Sequence, residues 1–165
     1  NMSLQRFVLS VILDEVLIAA GERLSHMSKG RYTLLRRTEV TGAQKSGLEL
    51  DVEDAYTGKT RAVSTLSGGE SFIAALSLAL GLSDVVQSHS GGIRLDTLFI
   101  DEGFGSLDPE SLDLAITTLI DLQQAGRMVG VISHVPELKE RIDVRVDVVV
   151  GRAGSSVTVG GADAA

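Results

Sequence analysis

Four short stretches of this chain carry residue types that can do chemistry on a phosphate. The first is Leu66-Ser67-Gly68-Gly69-Glu70, at the start of an Ala/Leu-rich run. A capping box, with Ser67 as N-cap and Glu70 three residues on, accounts for two of these residues. It does not account for two successive glycines, each costing about 1 kcal/mol relative to alanine inside a helix. Their choice implies that something comes close to the backbone. Free N–H groups and the positive end of a helix dipole make such a start an anion site, and a serine hydroxyl beside it suits a terminal phosphate. The second stretch, Leu98-Phe99-Ile100-Asp101-Glu102-Gly103-Phe104-Gly105, delivers two adjacent carboxylates from an apolar run into a glycine-rich turn. One carboxylate can hold magnesium, directly or through its water, while the other orients and deprotonates an attacking water. The third, Ser106-Leu107-Asp108-Pro109-Glu110, reads equally well as a helix start with Asp108 as N-cap and Pro109 at the first position. The fourth is His134, closing the run Val131-Ile132-Ser133; a lone strand-end histidine would ordinarily be structural. His26 and His89 have no comparable setting.

The elements that must position these groups are legible from periodicity. Apolar residues at Leu4, Val8, Ile12, Val16, Ala20, Leu24 and Met27 predict a helix over 4–27, ended by Gly30. Strands are expected over 31–36 and 48–53. The second alternates Leu48, Leu50 and Val52 with Glu49, Asp51 and Glu53, as one wet face requires. Thr41-Gly42 and Ser46-Gly47 mark a hairpin-like connection between them. Thereafter helices are expected near 67–88, over 109–124 and over 136–141, with strands at 97–100, 128–133, 144–150 and 156–159. Apolar strands alternating with helices imply an α/β fold with a buried, mostly parallel sheet and a smaller antiparallel region near the N-terminus. The Gly/Ala tail 160–165 is expected to fray.

The order of these motifs resembles the second half of an ABC-type ATPase head. Leu66 to Glu70 is similar to the signature motif, Leu98 to Glu102 to the Walker B strand, Ser106-Leu107-Asp108 to the D-loop, and His134 to the switch histidine. Ser71-Phe72 after the signature, and Asp-Glu-Gly-Phe-Gly where a transporter has Asp-Glu-Pro, resemble the SbcC branch, whose ATPases serve bacterial double-strand-break nuclease complexes. That resemblance implies ATP and Mg2+ as ligands, with Asp101 at the metal and Glu102 and His134 catalytic. It implies nucleotide contacts from Ser67, Gly68, Gly69, Glu70 and Asp108. It also implies that residues 1–30 form a coiled-coil root and 31–165 the C-terminal half of the head.

The same resemblance implies four partners: the N-terminal half of the head, a second identical head, a metal-dependent nuclease subunit and DNA. The chain holds no Gly-x4-Gly-Lys-Ser/Thr loop. Gly58-Lys59-Thr60 has Glu53 where the first glycine belongs and sits in a turn. Hydrolysis is therefore expected only when the N-terminal half completes the head. Two other readings stay open: a head of another long-coiled-coil, SMC-like or recombination ATPase, and a signature-bearing binding module without turnover.

Composition sets the outer bounds. The chain has 165 residues, 44% of them apolar and 22% charged, and it has no cysteine. It is a folding sequence without disulfides or thiolate metal sites, and a cytoplasmic location is expected. The N-terminal run is broken by Arg6, Asp14, Glu15, Glu22 and Arg23, so no signal core or membrane span is expected there. The net charge of −7 is uneven: residues 1–65 carry nine basic and eight acidic groups, residues 66–165 six and fourteen. Phosphate backbones would be repelled by the second part. Arg31, Arg36 and Arg37 are the candidates for touching DNA, against the simpler reading of a solvated strand face.

Overall fold

Helix α1 (Leu4–Met27) crosses helix α2 (Gly68–His89) along the face that the periodicity predicts, but only for its C-terminal two-thirds. Val16, Leu17, Ala20, Leu24 and Met27 are buried there, whereas Leu4 and Val8 are exposed. The two backbones come close at Gly81, where a Cβ would lie 2.8 Å from both the Ala20 nitrogen and the Val16 oxygen. Arg23 pairs with Asp84 at 2.7 Å and His89 with Glu15 at 2.6 Å, pinning the flanks of the crossing. The computed structural model describes residues 4–37, 48–91, 95–152 and 154–161. The connection around Thr41-Gly42 and Ser46-Gly47, and the tail beyond Gly161, lie outside the described residues.

After α1, Lys29 and Gly30 both take left-handed backbone, and Gly30 N–H donates back to Ser25 O at 2.7 Å, closing the helix. The chain then runs into an antiparallel sheet of β1 (Tyr32–Arg36), β2 (Leu50–Asp54) and β3 (Lys59–Ala62), with Leu34 opposite Val52 and Tyr32 opposite Asp54. Strand β3 is absent from the periodicity reading because its four residues, Lys-Thr-Arg-Ala, carry no apolar alternation. Gly58 sits at φ 63 in the β2–β3 turn, so Gly58-Lys59-Thr60 enters a hairpin strand and no phosphate-binding loop. Asp54, one residue beyond the expected strand, shares the inward face of Leu50 and Val52. It is buried and receives two hydrogen bonds from the Arg31 guanidinium, at 3.3 and 3.0 Å. Arg36 likewise grips Asp14 at 2.7 and 2.9 Å, and Arg37 pairs with Asp51. All three candidate DNA-contacting arginines are thus held in internal ion pairs.

The second part is a β–α–β unit. Strand β4 (Thr97–Asp101) pairs in parallel with β5 (Met128–Ile132), and helix α3 (Pro109–Gln124) crosses between them. Leu112, Ala115, Ile116, Leu119 and Leu122 of α3 join Leu24, Met27, Leu80 and Phe104 in one core. Removing a buried leucine such as Leu80 to alanine would cost about 2–5 kcal/mol. Among the described residues α2 is the one helix long and apolar enough to cross a membrane, and here one of its faces packs in this core.

A short helix α4 (Pro136–Arg141) and an antiparallel hairpin of β6 (Arg145–Gly151) and β7 (Gly154–Gly160) end the described chain. The expected buried sheet is only partly buried. Phe99 on β4 is 71% exposed and lies across Gly130 of β5, where a Cβ would meet its ring at 2.4 Å. Val146, Val148, Val150, Val157 and Val159 of the hairpin are exposed too. These strands are apolar on faces that this chain does not cover.

Candidate active site

Ser67 has extended backbone and caps α2 as a complete capping box. Its Oγ accepts from the Glu70 N–H at 3.4 Å, and Glu70 Oε2 accepts from the Ser67 N–H at 2.8 Å. The other oxygen of Glu70, Oε1, receives the Tyr32 hydroxyl, and Arg31 and Arg61 stand 3.5 and 3.9 Å from the carboxylate. Burial pushes Glu70 up, but the hydrogen bonds from Tyr32 and Ser67 and the nearby Arg31 charge outweigh it, leaving Glu70 below the ordinary glutamate range. Burial, with the hydrogen bond to Glu70 second, moves Tyr32 up to about 12, so its hydroxyl stays a donor at neutral pH. The antiparallel sheet therefore fixes the start of α2 through Glu70, while Ser67 and Gly68 remain exposed. Tyr32 was not foreseen, being 38 residues away in sequence. Its only advance signal is that a tyrosine on a buried strand face needs a partner for its hydroxyl.

Strand β4 ends at exposed Asp101, and the backbone then turns sharply. Glu102 takes φ 58 and Gly103 φ 99. Left-handed backbone costs a non-glycine residue about 1–2 kcal/mol, and the Glu102 N–H offsets part of this by donating to Ile132 O at 2.8 Å across to β5. The turn aims the Glu102 carboxylate at His134, with Oε2 at 3.1 Å from Nδ1. Two residues 32 positions apart thus form a pair at the C-terminal edge of parallel strands, where open α/β sheets place ligands. Both side chains are exposed. Among the described residues no three His, Cys, Asp or Glu side chains cluster as a metal site. The Asp101 carboxylate suits magnesium, which commonly takes one or two protein carboxylates and completes its shell with phosphate and water.

Gly69 and Asp108 have local explanations that the sequence left open. A Cβ on Gly69 would lie 2.6 Å from Ser106 O, so the close approach at this glycine is made by the chain's own backbone. Gly68 is different: its Cβ would rest 3.7 Å from Ser106 Cβ, an ordinary contact. Asp108 caps α3, with Oδ1 accepting from the Glu110 and Ser111 N–H groups at 3.1 and 3.0 Å and Oδ2 from the Ser111 hydroxyl at 2.6 Å. Those bonds, the Ser111 hydroxyl first, hold it below the usual aspartate range. Beside it a cleft of about 510 Å³ opens between Phe104, α3 and α4, with His134 at its wall.

The chain is similar to known proteins. The SbcC component of the SbcCD nuclease of Vibrio cholerae is 69% identical to the chain over 158 residues, 95% of it. The chain matches a segment of SbcC. The corresponding SbcC protein of Staphylococcus epidermidis is 55% identical over 148 residues, 90% of the chain. The chain spans about a sixth of the length of these SbcC relatives, 16% and 15%. A family model described as "SbcC/RAD50-like, Walker B motif" matches residues 43–121, which include the capping-box loop and both carboxylates.

Solved structures supply the fold. One, described as "Structural biochemistry of ATP-driven dimerization and DNA stimulated activation of SMC ATPases", superposes with a TM-score of 0.67 over 93% of this chain and 88% of its own, at 17% identity. An Smc head domain with an extended coiled coil from Pyrococcus furiosus, bound to the C-terminal domain of ScpA, gives 0.62 over 88% of this chain and 34% of its own, at 15% identity. This SbcC-like segment therefore has the α/β fold seen in SMC ATPase heads.

Proposed function

We propose that residues 31–165 are the C-terminal half of a magnesium-dependent ATPase head, and that residues 1–30 are the root of its coiled coil. Two such heads close on ATP. The Ser67–Gly68–Gly69–Glu70 start of α2 meets the terminal phosphate of the nucleotide held by the opposite head, through free N–H groups and the helix dipole. Asp101 would hold the magnesium ion, which supplies charge neutralisation for the phosphates. Glu102 accepts the proton of the attacking water, and His134 hydrogen-bonds Glu102 on one side and the terminal phosphate on the other. Asp108 serves nucleotide contact indirectly, since its oxygens are engaged in capping α3; it shapes the loop that faces the second head.

The observation that carries this reading is the Glu102–His134 pair, 3.1 Å apart at the edge of the parallel strands. The uncovered apolar faces of β4–β5 and β6–β7 support completion by the N-terminal half of the same head. Exposed Leu4, Phe7, Val11 and Ile18 on α1 support a root against which a coiled-coil strand and a nuclease subunit pack. In the complete protein this ATPase gates a metal-dependent nuclease acting on DNA ends in the cytoplasm.

Glu102→Gln in the full-length protein tests the assignment. It keeps shape and hydrogen bonding but removes proton acceptance, so single-turnover hydrolysis should fall about 10²-fold or more with ATP still bound and the heads still dimerised. Asp101→Asn should instead weaken magnesium-dependent binding. Normal hydrolysis in Glu102→Gln, or loss of dimerisation along with activity, would reverse the roles. A binding module without turnover would show no hydrolysis in the wild-type protein.

A further inference from the structure

Two residue choices remain unaccounted for by the phosphate chemistry: Phe72, just after the Ser67–Glu70 loop, and Gly103-Phe104, just after the carboxylates. In the structure they touch. The Phe72 ring lies edge-on to Phe104, with centroids 4.8 Å apart at 64°, and Phe104 is 1% exposed, so the pair is anchored in the core. The same ring fills the space beside Gly103: a Cβ there would lie 2.2 Å from Phe72 Cδ2 and 2.3 Å from Cε2. Gly103 therefore has two reasons to be glycine, its φ of 99 and the aromatic ring against it.

The ring bears on the residue next to it. Glu102 holds φ 58, a conformation a glutamate keeps only when its surroundings over-determine it. The strand bond from Glu102 N–H to Ile132 O fixes one side of the turn. On the other side, the Ser106 hydroxyl donates to Gly103 O at 2.7 Å, and Ser106 O is itself packed under Gly69. The Phe72 ring packs against the same turn at Gly103.

We propose that Phe72 is a positioning residue for Glu102: its ring holds the Gly103 turn in the one backbone path that directs the Glu102 carboxylate to His134. The inference rests on the proposed role of Glu102 as the proton acceptor. Because Phe72 lies in the first turns of α2, the surface that meets one nucleotide and the carboxylate that serves the other belong to one interlocked block. A bulky residue at this helix position is thus tied to turnover rather than to phosphate contact.

The test uses the full-length protein and reads hydrolysis and ATP-dependent dimerisation separately. Phe72→Ala frees the turn, and a displacement of about 1 Å at a reacting group can cost on the order of 10²-fold. We expect kcat to fall about 10- to 100-fold, with KM for ATP and dimerisation changed by no more than about twofold. Phe72→Tyr, which keeps the ring, should restore most of the loss. Gly103→Ala should lose turnover in the wild-type background and lose clearly less when combined with Phe72→Ala, since the ring it would strike is gone. Unchanged kcat in Phe72→Ala overturns the proposal. So does a parallel loss of dimerisation and kcat, which would make Phe72 a support of the phosphate-binding loop alone. If Glu102→Gln itself leaves turnover intact, it is the assignment of Glu102 that fails, whatever Phe72 does.

Discussion

Alanine at Gly68 and alanine at Gly69 should move stability in opposite directions, although the two positions are adjacent in one helical turn. Replacing a helical glycine by alanine gains up to about 1 kcal/mol in backbone entropy. At Gly68 nothing opposes that gain, because the new methyl would rest 3.7 Å from Ser106 Cβ. At Gly69 the methyl would sit 2.6 Å from Ser106 O and 3.5 Å from Leu107 Cδ2. The oxygen belongs to the backbone of a turn stitched by its own bonds to Gly103, so it cannot rotate away, and overpacking of this kind costs about 1–3 kcal/mol. Gly69→Ala should therefore be destabilised by up to about 2 kcal/mol net, and Gly68→Ala neutral or stabilised. Urea unfolding of the full-length protein, followed by far-UV circular dichroism, gives both values in one series. ATP-dependent dimerisation should separate them the other way: Gly68→Ala stays folded yet dimerises poorly, because Gly68 is the glycine left facing outward. Equal shifts of the same sign in both variants would refute the claim that Ser106 is what approaches Gly69.

Three further outcomes follow from the same geometry. Ser67→Arg should leave nucleotide binding by each head largely intact but abolish ATP-dependent dimers in light scattering; persistent dimers would mean that Ser67 does not face the opposite phosphate. His134→Ala should slow hydrolysis more than it weakens ATP binding, since the residue contacts Glu102 at 3.1 Å, and equal loss of both in stopped-flow binding and turnover would return it to a structural role. Asp54 is held below its ordinary value of 3.8, first by the side-chain hydrogen bonds from Arg31. A depressed folded-state pKa contributes stability that is present above the unfolded value and is lost as pH falls through the lower folded one. Asp54→Asn should thus be clearly less stable than wild type at pH 7, with the gap narrowing only below about pH 4; a gap already closed at about pH 6 would contradict the ion pair.

The elements that position the site were legible in the sequence because each carries a complete local signal. Helix Pro109–Gln124 is announced by its Asp-Pro start, and helix Leu4–Met27 by four-residue periodicity and a terminal glycine. The strand Thr97–Asp101 and the short helix Pro136–Arg141 were likewise bounded to within a residue. Strand Lys59–Ala62 was not, since its pairing with Leu50–Asp54 rests on backbone bonds and no apolar pattern.

The motifs themselves, Ser67 to Glu70, Asp101-Glu102, Asp108 and His134, were named by residue type and order alone. Composition and spacing also established the absence of a phosphate-binding loop and the α/β class. Tertiary structure decided what each motif touches. It brought His134 to Glu102 across 32 residues and set the Tyr32 hydroxyl on Glu70 across 38. It seated Ser106 against Gly69 and Phe72 against Gly103, and it turned Arg31, Arg36 and Arg37 inward to carboxylates. The physical reason is range: caps, periodicity and turn glycines are satisfied within a few residues of chain. Ion pairs, ring contacts and backbone approaches between elements depend on how helices and strands cross, which no local window of sequence contains.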